Sequence, residues 1–368
     1  MLNSKILTKH PISISNKRII GIFTCLICLL LTGCGEGKLP TEVVLTSDFI
    51  ENEVFRLEGH PCMKNEIMLY LVNSENGYSE VFGDGIWSVP VGDGTLEDSY
   101  KDNILARIAQ IKTMNLLARE MSVSLEDEEE AKVKAAAREY YESLSDAEKK
   151  YLDVDMETVA GSYREFAIAN KLYETITRDV NPEISDDEAR TITVKTILVK
   201  TYKSDHGGNK IEYNSEEKKS ALLRIAEARQ LIEDGEAFEV VASDYNEDSR
   251  SEYSFGRGVM PEEFEEAAFN LGVGEVSDIV ETEYGYHLIY CVSTFNPEET
   301  DANKVKIVEK RKQEAFNEVY DSFVTTLTSN LNKPLWDSIH FDAGGIAKTT
   351  SFFEVYDKYF TVVSTQSD

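Results

Sequence analysis

Near Thr191 the spacing of apolar residues in this chain changes from that of a helix to that of a strand, and beyond Pro297 it changes back. Side chains on alternating faces cannot continue a helix of period 3.6, so a unit containing a sheet must stand between two helical stretches. Ile192, Val194, Thr196 and Leu198 alternate with Thr193, Lys195, Ile197 and Val199, a β-branched strand. Behind it the sequence predicts a polar loop through His206-Gly207-Gly208 and a helix over 215–234 closed by Gly235. Short helices at 238–245 and 261–271 and a strand pair at 276–280 and 287–292 follow. The order β-α-α-α-β-β makes a compact α+β unit of about 105 residues.

The flanks read as helix. The spacing predicts a helix over 48–72, kinked at Gly59 and Pro61, then a loop or hairpin over 73–95. The two Gly-Asp-Gly triplets there, 83–85 and 92–94, do not read as a phosphate or calcium loop, because Ile86-Trp87-Ser88-Val89-Pro90 stands where further ligands or a helix start would be needed. Helices are expected over 96–121, from a capping box of Ser124 and Asp127 onward, over 146–152, and over 155–178 until Asn181-Pro182. The acidic run 126–130 reads as a solvated cap at the positive end of a helix dipole. One long helix is expected from 302 to about 331, with Phe316, Val319, Phe323, Leu327 and Leu331 as an apolar seam. Only a short Trp336 and Phe341 segment and a tail follow, so the expected partner of that seam is the N-terminal helical region. The fold class is then α+β, a mostly helical domain over 47–188 with a returning C-terminal helix over 301–345, an inserted α+β domain over 191–297, and a tail over 346–368.

The first residues read as an address. Lys5, Lys9, Lys17 and Arg18 precede an apolar run over 19–31, too short to span a bilayer comfortably. That run ends in Leu31-Thr32-Gly33-Cys34, which resembles the lipobox of bacterial lipoproteins, where cleavage falls before the Cys and its thiol carries diacylglycerol. The expectation is a lipoprotein signal peptide over 1–33, lipidation at Cys34, a tether over 34–46, and a location at the extracytoplasmic face of a bacterial cell membrane, held there by the Cys34 lipid. Cleavage takes the net charge from −29 to −33. A chain so acidic cannot neutralise phosphates, which excludes nucleic acid as a partner. The remaining thiols, Cys62 and Cys291, are expected as buried small hydrophobes. His60, His206, His287 and His340 are scattered, and the mature chain has no Cys-x-x-Cys, His-Glu-x-x-His or Gly-x-Ser-x-Gly, so no metal or cofactor site is expected.

The stretch Phe255-Gly256-Arg257-Gly258-Val259-Met260-Pro261-Glu262-Glu263-Phe264, followed by Gly274-Glu275-Val276-Ser277 and Tyr284-Gly285-Tyr286-His287-Leu288-Ile289, resembles the parvulin family of peptidyl-prolyl cis-trans isomerases. Ile197-Leu198-Val199-Lys200 matches the family's opening strand, and the resemblance runs over roughly 193–293. With a lipobox in front and helices on both sides, the whole chain resembles the PrsA-type foldase lipoproteins and is similar in plan to the chaperone SurA.

The resemblance implies an isomerase acting on X-Pro bonds of unfolded or partly folded secreted proteins, and it leaves a homodimer open. An X-Pro bond interconverts over a barrier of ~18–20 kcal/mol. Lowering it needs no nucleophile or cofactor, only an apolar pocket for the proline ring and polar groups that favour the twisted amide. On the match, Met260 and Phe264 are the proline pocket with Phe255 beside them, Thr282 and Tyr284 form the rim, and His287 and Asp248 are the polar catalytic residues. Met260 and Phe264, four apart at a helix start, share a face. Two departures stand out. Thr196 occupies the place of the family's first His, where its hydroxyl can still hydrogen-bond His287, and Arg250-Ser251-Glu252-Tyr253-Ser254 replaces a Gly-rich loop. The alternative function is a holdase chaperone whose parvulin-like domain binds peptide with little or no turnover.

Overall fold

The computed structural model describes residues 49–205, 209–341 and 345–360. Cys34, the segments around it and His206 lie outside these. The chain divides into two compact units, one of residues up to Arg178 together with those from Gln313 on, the other Asp179–Lys312.

The first unit opens on a hairpin, β1 (Glu53–Leu57) and β2 (His60–Met63), where the sequence predicted helix. Glu58 and Gly59 both hold positive φ, 47° and 75°, the backbone of a two-residue hairpin turn that no helix admits. Pro61 lacks an N–H but is tolerated, because β2 is an edge strand of its sheet. Helix α1 (Lys64–Phe82) runs on through the segment expected as loop. Its polar Asn73 is satisfied in the core, donating to Leu69 O and to Tyr140 Oη at 2.8 Å each, so tertiary partners override a weak helix propensity. A 3-10 turn (Asp84–Ser88) and the small hairpin β3 (Pro90–Val91) and β4 (Gly94–Thr95) follow.

Helix α2 (Leu96–Glu120) starts at a Thr95/Asp98 capping box. Helix α3 (Asp127–Ser143) is capped by Glu126 and Glu129 instead of the expected Ser124 and Asp127, the Glu126 N–H donating to Glu129 Oε2 at 2.7 Å. Helices α4 (Asp146–Leu152) and α5 (Met156–Thr177) complete this part. Lys112 on α2 bridges Glu66 of α1 and Glu165 of α5, an ion-paired triad among packed helices.

The second unit begins with α6 (Asp186–Ala189) and β5 (Ile192–Lys200), then β6 (Tyr202–Ser204) and β7 (Lys210–Glu212), α7 (Ser215–Glu233), α8 (Phe238–Tyr245), β8 (Glu252–Phe255), α9 (Glu262–Phe269), β9 (Val280–Thr282) and β10 (Gly285–Ser293). Its main sheet is antiparallel in the order β8-β5-β10-β9. Strand β8 was not foreseen, and the strand expected at 276–280 reduces to a single bridge from Val276 to Tyr290. Ile197, Val199, Tyr286 and Leu288 turn one face to α7 and α8. Ile192, Val194 and Ile289 turn the other to Phe255 and to Phe264 and Phe269 of α9. The period of 2 thus sorts each central strand between two separate cores.

Helix α10 (Pro297–Val324) ends earlier than expected. Thr325 and Thr326 turn their hydroxyls back onto Ser322 O and Phe323 O, and the chain leaves as β11 (Ser329–Leu331), antiparallel to β1. Leu327 and Leu331 therefore lie beyond the helix whose seam they were expected to extend. Phe316 of α10 is buried against Tyr173. After α11 (Lys333–Asp337), the expected tail contains α12 (Phe352–Phe360), which belongs to the core. Phe352 stacks on Tyr163 at 4.5 Å and meets Tyr140 edge-on at 5.2 Å, while Tyr163 Oη donates to Phe352 O at 2.6 Å. Cys62 and Cys291 are free and buried. Among the described residues no helix is long and apolar enough to cross a membrane.

Candidate active site

His287 sits mid-sheet on β10, on the face that packs against α9, and is 7% exposed. Thr282 on the neighbouring β9 places its Oγ1 2.9 Å from His287 Nε2 and accepts the Tyr284 N–H at 3.1 Å. The tight turn between β9 and β10 depends on Gly285 (φ 141°), where a Cβ would lie 2.2 Å from Val199 O. Burial pushes the His287 pKa down to about 4, against a smaller upward pull from the Asp248 carboxylate. The imidazole is therefore neutral at neutral pH.

The hydrogen bond that Thr196 could offer His287 is not made. His287 faces Leu198 across the sheet and Thr196 faces Ile289, so the two are diagonal neighbours. Such neighbours stand roughly 7–8 Å apart, a gap that an aromatic or long side chain can span, and here the hydroxyl and the ring do not meet. Thr196 Oγ1 and His287 Nδ1 are both buried without a hydrogen-bond partner.

The apolar part of the site is α9 against the sheet. Phe264 meets the His287 ring edge-on, centroids 5.1 Å apart at 76°, and Phe255 lies 6.0 Å from Phe264. Phe255 and Phe264, expected in and beside the proline pocket, are each 4% exposed and part of the α9 core. Half-buried Met260 packs on that cluster, and Tyr284, in the turn between β9 and β10, is 43% exposed. Phe264 thus does double duty as core and as the wall nearest His287.

Asp248 is held from both sides, accepting from Tyr253 Oη at 2.6 Å and from the Ser249 N–H at 2.7 Å. Burial, together with the hydrogen bond to Asp248, raises Tyr253 to about 12, so it stays a donor. The loop carrying Asp248 is tied to β5 by Asn246, a residue the sequence did not single out. Asn246 Oδ1 accepts from Leu198 N at 3.0 Å and Asp248 N at 3.2 Å, and its Nδ2 donates to Arg250 O at 3.2 Å. Glu247 N–H donates to Leu198 O, and Thr196 N–H to Ser251 O, each at 2.8 Å. This loop thereby occupies the edge of β5 beyond β8. An Asn opening the run Asn246-Glu247-Asp248-Ser249 is the side-chain turn signal that would have found it. A cavity of about 370 Å³ opens beside Asp248, with Lys195, Phe238 and Arg250 among its lining residues.

No group here is an activated nucleophile. Among the described residues no cluster of three or more His, Cys, Asp or Glu is placed to hold a metal. An apolar wall, a neutral imidazole and a fixed carboxylate suit a reaction without covalent chemistry.

Residues 197–293 match the family model described as Rotamase: PPIC-type PPIASE domain. The chain is 36% identical over 114 residues to Foldase protein PrsA of Geobacillus kaustophilus, a match covering 29% of this chain and 35% of that protein. It is 25% identical over 254 residues to Foldase protein PrsA of Caldanaerobacter subterraneus, covering 65% of this chain and 73% of the relative. The chain thus spans about a third of the first relative's length and about three quarters of the second's. The crystal structure of PrsA from Bacillus cereus covers 74% of this chain and 99% of its own, at 20% identity and a TM-score of 0.36, too low to assign a fold by itself.

Proposed function

We propose that this PrsA-like chain, whose residues 197–293 form a parvulin-type peptidyl-prolyl isomerase domain, is an extracytoplasmic foldase tethered by a lipid on Cys34 and acting on X-Pro bonds of secreted clients. The observation that carries the reading is the buried His287 set edge-on against Phe264 at 5.1 Å, with Thr282 behind it. The proline ring packs on Phe264 and Met260, and the twisted amide, having lost conjugation, presents a more basic nitrogen and a more carbonyl-like oxygen to nearby polar groups. A neutral His287, fixed by Thr282, keeps the floor of the site uncharged beneath an apolar ring. Asp248, held by Tyr253 and Ser249, supplies the fixed negative end. Tyr284 stands at the rim, whereas Thr282, expected there, is buried behind His287.

The holdase alternative is favoured by one specific pair of features. Thr196 leaves His287 Nδ1 unpartnered, and Phe255 and Phe264 offer little open surface. Exchange spectroscopy by NMR on a proline tetrapeptide tests the two readings, since it needs no coupled protease. The expected result is turnover above the uncatalysed rate in wild type, reduced more than binding by His287→Ala. Phe264→Leu, which keeps apolar volume in the core, is expected to weaken binding and turnover together. Wild-type turnover equal to the uncatalysed rate, with client aggregation still suppressed, would leave the holdase.

A further inference from the structure

Between Asn65 and Tyr100 the chain contains seven acidic residues and no Lys, Arg or His. Within that segment Val81, Phe82, Val89 and Val91 are 62%, 63%, 47% and 42% exposed. Single exposed apolar residues need no explanation, but four within eleven residues of chain do. They lie at the end of α1 and on the turn and hairpin after it. Trp87 of that turn donates from Nε1 to Ser79 Oγ at 2.9 Å and packs on Tyr78, folding the turn back on the helix. Phe82 is the outer ring of a series that runs inward through Tyr78 and Trp87 to Phe341. Phe82 is therefore braced by an aromatic stack, while Glu80, Asp84 and Asp93 are exposed along the same segment and make no ion pair among the described residues.

We infer that this lobe is a docking surface for unfolded client segments that combine apolar residues with Lys or Arg. The inference rests on the client-binding half of the foldase reading and assigns the chemistry of the segment bound. Exposed apolar side chains beside the unpaired acids Glu80, Asp84 and Asp93 favour a partner that is greasy and cationic, because these acids attract its charges without desolvating their own. A second copy of this chain fits poorly, since a two-fold contact through the lobe sets like charges against each other. An anionic lipid surface is repelled for the same reason. The net charge of the whole chain steers basic segments toward it from a distance.

The test uses the full mature chain and two fluorescein-labelled peptides of about twelve residues, equal in apolar content and free of proline, one bearing Lys and the other Glu. Anisotropy is expected to report binding of the Lys peptide only, weakened at least about tenfold in the Val81→Ser, Phe82→Ser double variant through lost apolar burial. It is also expected to weaken at about 0.5 M salt, and to perturb Trp87 emission. Both variant positions are exposed, so folding and tetrapeptide isomerisation stay as in wild type. Equal binding of the two peptides, or binding untouched by the double variant, overturns the inference. So does a wild-type dimer that the variant makes monomeric, or retention on anionic vesicles by the same four side chains. Lys-peptide binding without any wild-type isomerisation would sink the catalytic reading alone and leave this surface standing.

Discussion

His287 shows at the scale of one residue how burial turns into pH dependence. Its imidazole has a pKa of about 4 when folded, against an ordinary value near 6.5. Between those values the unfolded chain binds the proton and the folded one does not, so stability contributed by the neutral ring is whole above about pH 6.5 and is lost as pH falls toward 4. The loss is on the order of 3 kcal/mol. Denaturant midpoints of wild type and His287→Gln, followed by hydrogen exchange at amides of β5 and β10, are expected to diverge across that window, with the variant showing the flatter profile. Identical slopes would place the ring in contact with solvent and remove the electrostatic basis of the site. The sequence located His287 by its motif, but the orphaned Nδ1 was beyond it, because the diagonal offset from Thr196 follows from register. Asn246 was missed for a related reason: a short-range turn signal does not say which strand edge the turn will close.

Elements were legible where one periodicity governed and illegible where tertiary partners decided between two. Helices α2, α4, α5, α7 and α8 fall close to the expected spans, each having a sustained apolar face or a clear cap. The 48–72 stretch failed because Phe55, Cys62, Met63, Ile67 and Leu71 satisfy a helical spacing across what is in fact a hairpin and a helix start. Only the left-handed backbone of Glu58 and Gly59 separates the two. The end of the chain failed differently. Helix α12 is nine residues long, too short to be stable alone, and it exists because Asn73, Tyr140 and Tyr163 receive it. Asn73 Oδ1 accepts the Phe352 N–H at 3.1 Å, Asn76 donates to Ala347 O and Thr349 O, and Lys358 pairs with Glu139. Phe352→Ala is therefore expected to destabilise the helical unit by about 3–5 kcal/mol. The shift should appear in a chemical denaturation followed by the ellipticity of that unit, with the Asp179–Lys312 unit unaffected. A dispensable tail would register no change.

For the molecule as a whole, the two units are interleaved in sequence, and the proposed anchor precedes both. Cys34→Ser is expected to release the protein from the membrane fraction into the medium or to leave the precursor uncleaved. Full membrane retention with an intact signal would favour a transmembrane anchor. By itself the sequence determined that a sheet-containing unit interrupts helical ones, that this unit carries a motif resembling that of the parvulin family, and that the chain is strongly acidic. Those properties are local or compositional: a period of 2 or 3.6, a run of motif residues, a count of charges. Tertiary structure alone decided that β8 joins the sheet beside β5, that β11 returns to β1, and that Phe255 and Phe264 sit in the core. It decided also that Thr196 and His287 do not meet. Each of these is a pairing between residues far apart in the chain, and its energy comes from burial and register, which no single segment encodes.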